Sequence, residues 1–140
     1  MITIEKVAFL RTVPLFAPIP DYVLAAVAQI VEEVELPTAE TFIHEGEIED
    51  CMYIVVEGQV RVHRQEKTII TLGPGKSVGE LAVLDPEPRA AAVTTQEPTL
   101  LFRITKPLFD EVMADRPEIA QGVIRALCDR VREQGRLMTE

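Results

Sequence analysis

The stretch VGELAVLDPEPRAAAV, residues 78–93, contains a single basic residue, Arg89, in a chain whose formal net charge is −9 at pH 7. Three alanines follow this arginine, and Glu80 stands nine residues before it, directly after Gly79. An arginine on the surface does not require small neighbouring residues. A guanidinium also offers a planar fork of donors that suits phosphate oxygens. The stretch therefore indicates a pocket for a small anion.

The residues around Arg89 each suit a different part of such a ligand. Gly79 permits a close backbone approach or a positive φ. The segment after it is short and helix-prone, so its first N–H groups are left unpaired and available to an anion. Glu80 cannot serve a phosphate, but an inward-pointing carboxylate would accept hydrogen bonds from hydroxyl groups. Residues 90–92 have no bulk beyond Cβ. Together, these features suggest a ribose phosphate as the ligand.

The sequence around this stretch has the hydrophobic period of strands. Between residues 34 and 104, short runs rich in β-branched residues alternate with Gly and Pro. About eight strands joined by turns, with Glu57-Gly58 as a hairpin turn, predict a β-sandwich or barrel. Phe42 and Tyr53 suit either this core or the ligand, and the core is favoured. The other predicted core residues are Val55, Val56, Ile69, Ile70, Leu72, Leu100 and Phe102.

Helical patterns flank the strands on both sides. Residues 1–33 contain two amphipathic segments separated by a proline-rich apolar connector. Residues 105–140 contain two helical segments separated at Arg116-Pro117, with Thr105 as the N-cap of the first. We therefore predict one domain, in which a helical segment (1–33) precedes a β-roll (34–104) and two helices (105–140) follow it.

Composition excludes several classes of protein. The chain is 47% hydrophobic and 26% charged, as expected for a globular domain. Its negative charge argues against a nucleic-acid partner, and no apolar run approaches the roughly 18 residues of a membrane span. Glu5 and Lys6 interrupt what would be the apolar region of a signal peptide. Cys51 and Cys128 have apolar neighbours and no paired spacing, so we expect buried free thiols and a cytoplasmic location.

Residues 79–82 (GELA) and 88–91 (PRAA) resemble the phosphate-binding cassette of the cyclic nucleotide-binding domain family. This family includes the regulatory subunits of cAMP-dependent protein kinase, the catabolite activator protein and nucleotide-gated channels. The nine-residue spacing from Glu80 to Arg89 matches the kinase-type cassette, and the similarity extends from about Phe9 to Leu137. The resemblance implies a mainly β fold, an eight-stranded, jelly-roll-like β-roll (double-stranded β-helix) with N-terminal helices and two C-terminal helices. Its cassette would occupy residues 78–93.

The resemblance also implies roles for individual residues. Arg89 would pair with the exocyclic phosphate oxygens, and Glu80 would accept a hydrogen bond from the ribose 2′-hydroxyl. In the family, a threonine after the arginine tends to accompany cGMP. Here that position is Ala90, so cAMP is favoured as the ligand and cGMP stays open. The implied ligand-binding residues are Gly79, Glu80, Leu81, Ala82, Arg89, Ala90 and Ala91.

The last helix resembles the family's lid, which swings over the base when nucleotide binds. Ile124, Leu127 and Val131 are the candidates to cap the adenine, although the same stripe would serve as ordinary core packing. The resemblance thus implies a regulatory sensor without enzymatic activity, whose hinge and lid helices act on an effector domain in the same or another chain. No helix-turn-helix pattern follows, so we do not expect a transcription factor of the catabolite activator type. A free-standing sensor and the regulatory part of a longer polypeptide both remain open.

Three other interpretations compete with this one. Arg89 could be a surface residue paired with Glu87 or Asp85, a contact worth about 0–1 kcal/mol. The fold could serve as a β-roll interaction module with weak or no nucleotide binding. A cupin-like metalloenzyme would show an H-x-H pair and a glutamate. We instead expect His44 and His63 to be solvated or hydrogen-bonded, His63 on the outer face of its strand, and no metal to be bound.

Overall fold

The computed structural model describes residues Met1–Thr139, which divide into two compact units. The helical unit combines Met1–Gln29 with the chain from Asp110 onward. The β unit is Ile30–Phe109, and it holds every strand of the described chain.

The helical unit is built from amphipathic helices. Its elements are α1 (Thr3–Leu10), α2 (Asp21–Ala28), most of α3 (Lys106–Asp115) and α4 (Pro117–Thr139). Arg116 separates α3 from α4, as the sequence predicts, because Pro117 disfavours helical geometry in the residue before it and suits the first position of a helix. The connector between α1 and α2 is apolar, with Leu15 and Phe16 fully buried.

The β unit consists of two four-stranded antiparallel sheets. Its strands are β1 (Glu32–Leu36), β2 (Thr41–Ile43), β3 (Cys51–Glu57), β4 (Val60–Arg64), β5 (Lys67–Leu72), β6 (Ser77–Val78), β7 (Ala92–Thr95) and β8 (Thr99–Thr105). Sheet I has the order β1-β8-β3-β6, and sheet II has the order β2-β7-β4-β5. The eight-stranded β-roll predicted from the sequence is confirmed. One core cluster joins the two sheets, formed by Ile43, Cys51, Tyr53, Val55, Val60, Val78, Val93 and Leu101.

The Glu57-Gly58 turn does not form the hairpin that the sequence suggested. β3 pairs with β6 and β8, whereas β4 pairs with β5 and β7. The turn therefore carries the chain from sheet I to sheet II. Gly58 has φ +99°, and a Cβ there would lie 2.6 Å from Thr99 Oγ1. Only a residue without a side chain fits this close approach.

The predicted core is partly wrong at β5. Val55, Val56 and Phe102 are buried, but Ile69 and Ile70 are each 51% exposed. The reason is topological, because β5 lies at the edge of sheet II and lacks a neighbour on one side.

The aromatic pair takes the core position that the sequence favours. Tyr53 is buried and meets Phe42 edge-to-face, with 5.0 Å between the ring centroids. The remaining predicted core residues, Leu72 and Leu100, are half-buried.

The prediction for the cysteines holds at one position only. Cys51 and Cys128 are both free thiols, but Cys51 is buried and Cys128 is exposed. An apolar neighbour such as Leu127 does not decide burial, because consecutive residues of a helix project about 100° apart. Across residues 1–139, no helix combines the length and the apolar character that crossing a membrane would require.

Substituting Gly58 tests the close turn between the sheets. We expect Gly58→Ala to lower the free energy of unfolding by about 2–5 kcal/mol, because a positive φ and an overlap with Thr99 act together. Gly46→Ala is the matched control, since Gly46 has φ +86° but open space where the added methyl group would lie. Chemical denaturation should show a loss of only about 1–2 kcal/mol for that variant. Equal losses in the two variants would contradict the steric explanation.

Candidate functional site

The cassette begins at β6, the edge strand of sheet I. After β6, Gly79 takes the left-handed conformation with φ 70° and ψ 26°, and a short 3₁₀ helix follows over Glu80–Val83. The chain then has no strand until β7 begins at Ala92, apart from an isolated bridge between Pro88 and Ile48. The cassette thus runs from sheet I to sheet II, and its second half lies along residues 46–48.

Arg89 is buried, with only 8% of its surface exposed. Its Nη2 donates a hydrogen bond of 2.7 Å to the carbonyl oxygen of Cys51 in β3. Its backbone is fixed as well, because Arg89 N donates to the Glu47 carbonyl and Gly46 N donates to the Arg89 carbonyl, both at 2.8 Å. A buried guanidinium is costly unless its donors find acceptors. Arg89 is therefore held from both its side chain and its main chain.

Gly79 lies directly against the guanidinium of Arg89. A Cβ at position 79 would overlap Nη1 of Arg89 and come within 3.1 Å of its Cζ. A glycine is required here for two reasons. It adopts the positive φ, and it leaves the space that the Arg89 side chain occupies. The sequence suggested that this freedom of approach serves a ligand, whereas in the structure the neighbour at this point is Arg89 itself.

The carboxylate nearest Arg89 is neither of the two considered from the sequence. Glu49 Oε1 lies 3.6 Å from Arg89 Nε, in place of the pairing with Glu87 or Asp85. Glu49 stands in the acidic run EGEIED, residues 45–50, in which nothing distinguishes it from its neighbours. The pairing of the 46–48 segment with residues 88–89 brings it close, so no local sequence signal could have identified it.

The other predicted cassette residues differ in their exposure. Glu80 is half-buried, and Ser77 Oγ donates a hydrogen bond of 3.3 Å to its Oε2. The predicted residues Ala82 and Leu81 differ in exposure, at 7% and 49%. Ala90 is exposed and Ala91 is half-buried.

Arg64 is a neighbour of the cassette that was not predicted from the sequence. Its Nε donates a hydrogen bond of 2.9 Å to the carbonyl oxygen of Ala90. This contact places a second cation beside the cassette, 26 positions away from Ala90 in the chain. Pairing between β4 and β7 creates the contact, which the sequence alone could not reveal.

The candidate base-capping residues belong to the helical unit. Ile124 and Val131 are 59% and 67% exposed, and Leu127 is half-buried. The alternative of ordinary core packing is therefore wrong for Ile124 and Val131. In α4 that role falls to Ile119 and Val123, which are 0% and 4% exposed.

The surroundings of two side chains in sheet I raise their pKa values. The pKa of Tyr53, which pairs with Val78, is raised to about 12, chiefly by burial and further by Cys51. Burial acts to lower the pKa of Arg103, but contacts with Cys51, Tyr53 and Glu32 outweigh it and raise the pKa above its usual value. Tyr53 therefore stays neutral and Arg103 stays charged at physiological pH.

Both histidines have polar neighbours. His63 is buried, and its ring nitrogens lie 2.7 Å from the Gln65 carbonyl and 2.7 Å from Thr94 Oγ1, so it is hydrogen-bonded rather than solvated. His44 is exposed and lies 3.6 Å from Glu47. Within the described residues, no group of three or more His, Cys, Asp or Glu side chains is arranged to hold a metal ion.

Comparison with known proteins identifies relatives of this fold and cassette. The model of the family described as cyclic nucleotide-binding domain matches residues 33–116. The CRP-like cAMP-activated global transcriptional regulator of Mycobacterium tuberculosis is 30% identical over 123 residues, covering 84% of this chain. The chain spans only about half of that regulator's length, 55%.

Solved structures give a similar picture. The N-terminal domain of a transcriptional regulator from Streptomyces coelicolor superimposes with a TM-score of 0.87 at 33% identity, covering 93% of this chain and 94% of that one. The regulatory domain of Toxoplasma gondii PKA, crystallised with cAMP, superimposes with a TM-score of 0.73 at 28% identity, covering 79% and 44% of the two chains.

The packing of Gly79 against Arg89 can be tested by a double-mutant cycle. We expect Gly79→Ala to lower the free energy of unfolding by about 2–5 kcal/mol, from backbone strain and overlap together. In an Arg89→Ala background the overlap disappears, and the same substitution should cost only about 1–2 kcal/mol. Denaturant unfolding of all four proteins measures the difference. Additive losses would show that Arg89 does not occupy the space beside Gly79.

Proposed function

The chain belongs to the cyclic nucleotide-binding domain family, and from this membership we propose that it is a regulatory domain that senses cAMP. In this proposal the ligand binds reversibly at the cassette, without a catalysed reaction and without a metal. The single observation that supports it is the buried Arg89, whose guanidinium is held within the cassette by the Cys51 carbonyl. A cytoplasmic location is part of the proposal, and the free thiols are compatible with it.

The chemistry of the cassette supports a ribose phosphate as the ligand. Nη2 of Arg89 is used by Cys51, and Nη1 lies beside Gly79, at the start of the 3₁₀ helix. The phosphate would meet the guanidinium together with backbone N–H groups of Leu81, Ala82, Ala90 and Ala91. Glu80 would accept a hydrogen bond from the ribose 2′-hydroxyl, with Gly79 on the same side of the sugar.

The preference for cAMP over cGMP rests on Ala90. A threonine at this position would offer a hydroxyl to the guanine amino group, and alanine offers none. The names of two relatives are consistent with this preference, since the mycobacterial regulator is called cAMP-activated and the Toxoplasma domain was crystallised with cAMP. We therefore propose cAMP as the favoured ligand and cGMP as the weaker one.

The signal would leave through the C-terminal helices. Ligand binding can shift an equilibrium only if the ligand binds one arrangement of these helices better than another. Ile124, Leu127 and Val131 are the proposed cap over the adenine, and two of them expose most of their surface here. Covering exposed apolar side chains on binding would supply the differential affinity. The effector would be a further domain, in the same chain or another.

The roles of Arg89 and Glu80 can be tested by calorimetry with cAMP. We expect Arg89→Ala to weaken binding by about 2–5 kcal/mol, because it removes the buried partner of the phosphate. Glu80→Ala should weaken it by about 1.5–3 kcal/mol, the value of a charge-assisted hydrogen bond. Arg61→Ala is the control, because it removes the same charge from β4, outside the cassette. Unchanged affinity in Arg89→Ala would refute the assignment, and no binding of either nucleotide to the wild type would favour an interaction module.

The choice of base can be tested at Ala90. We expect Ala90→Thr to raise the affinity for cGMP relative to cAMP by roughly 2- to 13-fold, the equivalent of one hydrogen bond of about 0.5–1.5 kcal/mol. Ala90→Val is the matched control, because valine has the shape of threonine without the hydroxyl. Competition binding with both nucleotides gives the ratio. An equal shift in the valine variant would attribute the effect to bulk instead of hydrogen bonding.

A further inference from the structure

Glu49 and Arg89 face each other without forming a hydrogen bond. Glu49 Oε1 and Arg89 Nε are 3.6 Å apart, and the side chains are 28% and 7% exposed. Both atoms are themselves buried, and neither has a hydrogen-bond partner among the described residues. A carboxylate and a guanidinium that bond properly approach to about 2.7–2.9 Å. The two groups are therefore close enough to interact by charge but are not joined.

The position of the guanidinium does not depend on this carboxylate. The Cys51 carbonyl holds Nη2 at 2.7 Å, and Gly79 lies against Nη1 on one side. The main chain of Arg89 is bonded at both its N–H and its carbonyl. Because these contacts already hold the Arg89 guanidinium in place, Glu49 is not needed to orient it. Glu49 therefore acts on Arg89 through its negative charge.

The charge of Glu49 opposes the ligand that Arg89 would bind. A phosphate that approaches the guanidinium also comes close to the Glu49 carboxylate, and two negative charges that near each other in a partly buried site repel. Screening by salt does little over so short a distance. Glu49 is 28% exposed, so its side chain has a path toward solvent when an anion arrives.

We propose that Glu49 is an internal anion that occupies Arg89 in the ligand-free domain and that the phosphate must displace. This inference rests on the proposed function. It adds a residue outside the cassette that lowers the affinity for the ligand. The carboxylate neutralises the buried cation while the site is empty, and the nucleotide phosphate takes over this role on binding. The resting affinity for cAMP is accordingly weaker than the guanidinium and backbone donors alone would give.

The inference is tested by calorimetry of cAMP binding to the full chain with Glu49→Gln. Glutamine keeps the size of the side chain and removes its charge, so we expect the Kd to fall by roughly 3- to 30-fold. Glu45→Gln is the matched control, because it removes one charge from the same acidic run at an exposed position. Its Kd should change less than about twofold, since an exposed charge is screened.

The outcomes separate the two proposals. If the wild type binds cAMP and Glu49→Gln binds it equally or more weakly, the competing role of Glu49 is overturned while the proposed function stands. If both variants tighten binding equally, net charge explains the effect and the inference also fails. If neither the wild type nor Glu49→Gln binds cAMP or cGMP at millimolar concentration, both proposals fail. A thermal melt of each variant confirms that it is folded before binding is measured.

Discussion

The burial of the Arg89 guanidinium is the constraint on which the rest of the β unit depends. A charge with 8% exposure needs acceptors, and the fold supplies the Cys51 carbonyl from β3, an interior strand of sheet I. The main chain of Arg89 pairs with residues 46–47, and β7 of sheet II begins three residues later. The Arg89 side chain thus ties the cassette to sheet I, and the glycine at position 79 is required because the guanidinium fills the space beside it.

An acidic protein can hold an anionic ligand because contact outweighs distance. The net charge of −9 acts over the whole surface and is screened beyond about 8 Å at physiological salt. Arg89 lies within the cassette, and Arg64 contacts it from β4 at the Ala90 carbonyl. Glu49 is the exception among the acids, because its carboxylate lies 3.6 Å from the Arg89 guanidinium. Under the proposed function, the local arrangement of these three charges would therefore matter more for binding than the total charge.

A binding site becomes a sensor only when occupancy changes something else. The chain separates into a β unit that carries the cassette and a helical unit that carries the proposed cap. The exposed apolar residues Ile124 and Val131 of α4 give the helical unit a surface whose burial would favour one arrangement of the helices. The chain spans 55% of the length of its mycobacterial relative, and the effector of such a change belongs to the proposal alone.

The sequence by itself determined the fold class and predicted the residues of the cassette. The sequence shows local features: the strand periodicity, the helix break before Pro117 and the spacing of Glu80 and Arg89. Each depends on nearby residues alone and not on how the rest of the chain folds. Only the tertiary structure decided that β3 and β4 belong to different sheets, that Ile70 lies on an edge strand and that His63 is buried. It also decided that Glu49 and Arg64 are neighbours of the cassette. The physical reason is that these contacts join residues far apart in the chain, and burial and pairing at such distances leave no periodic trace in the sequence.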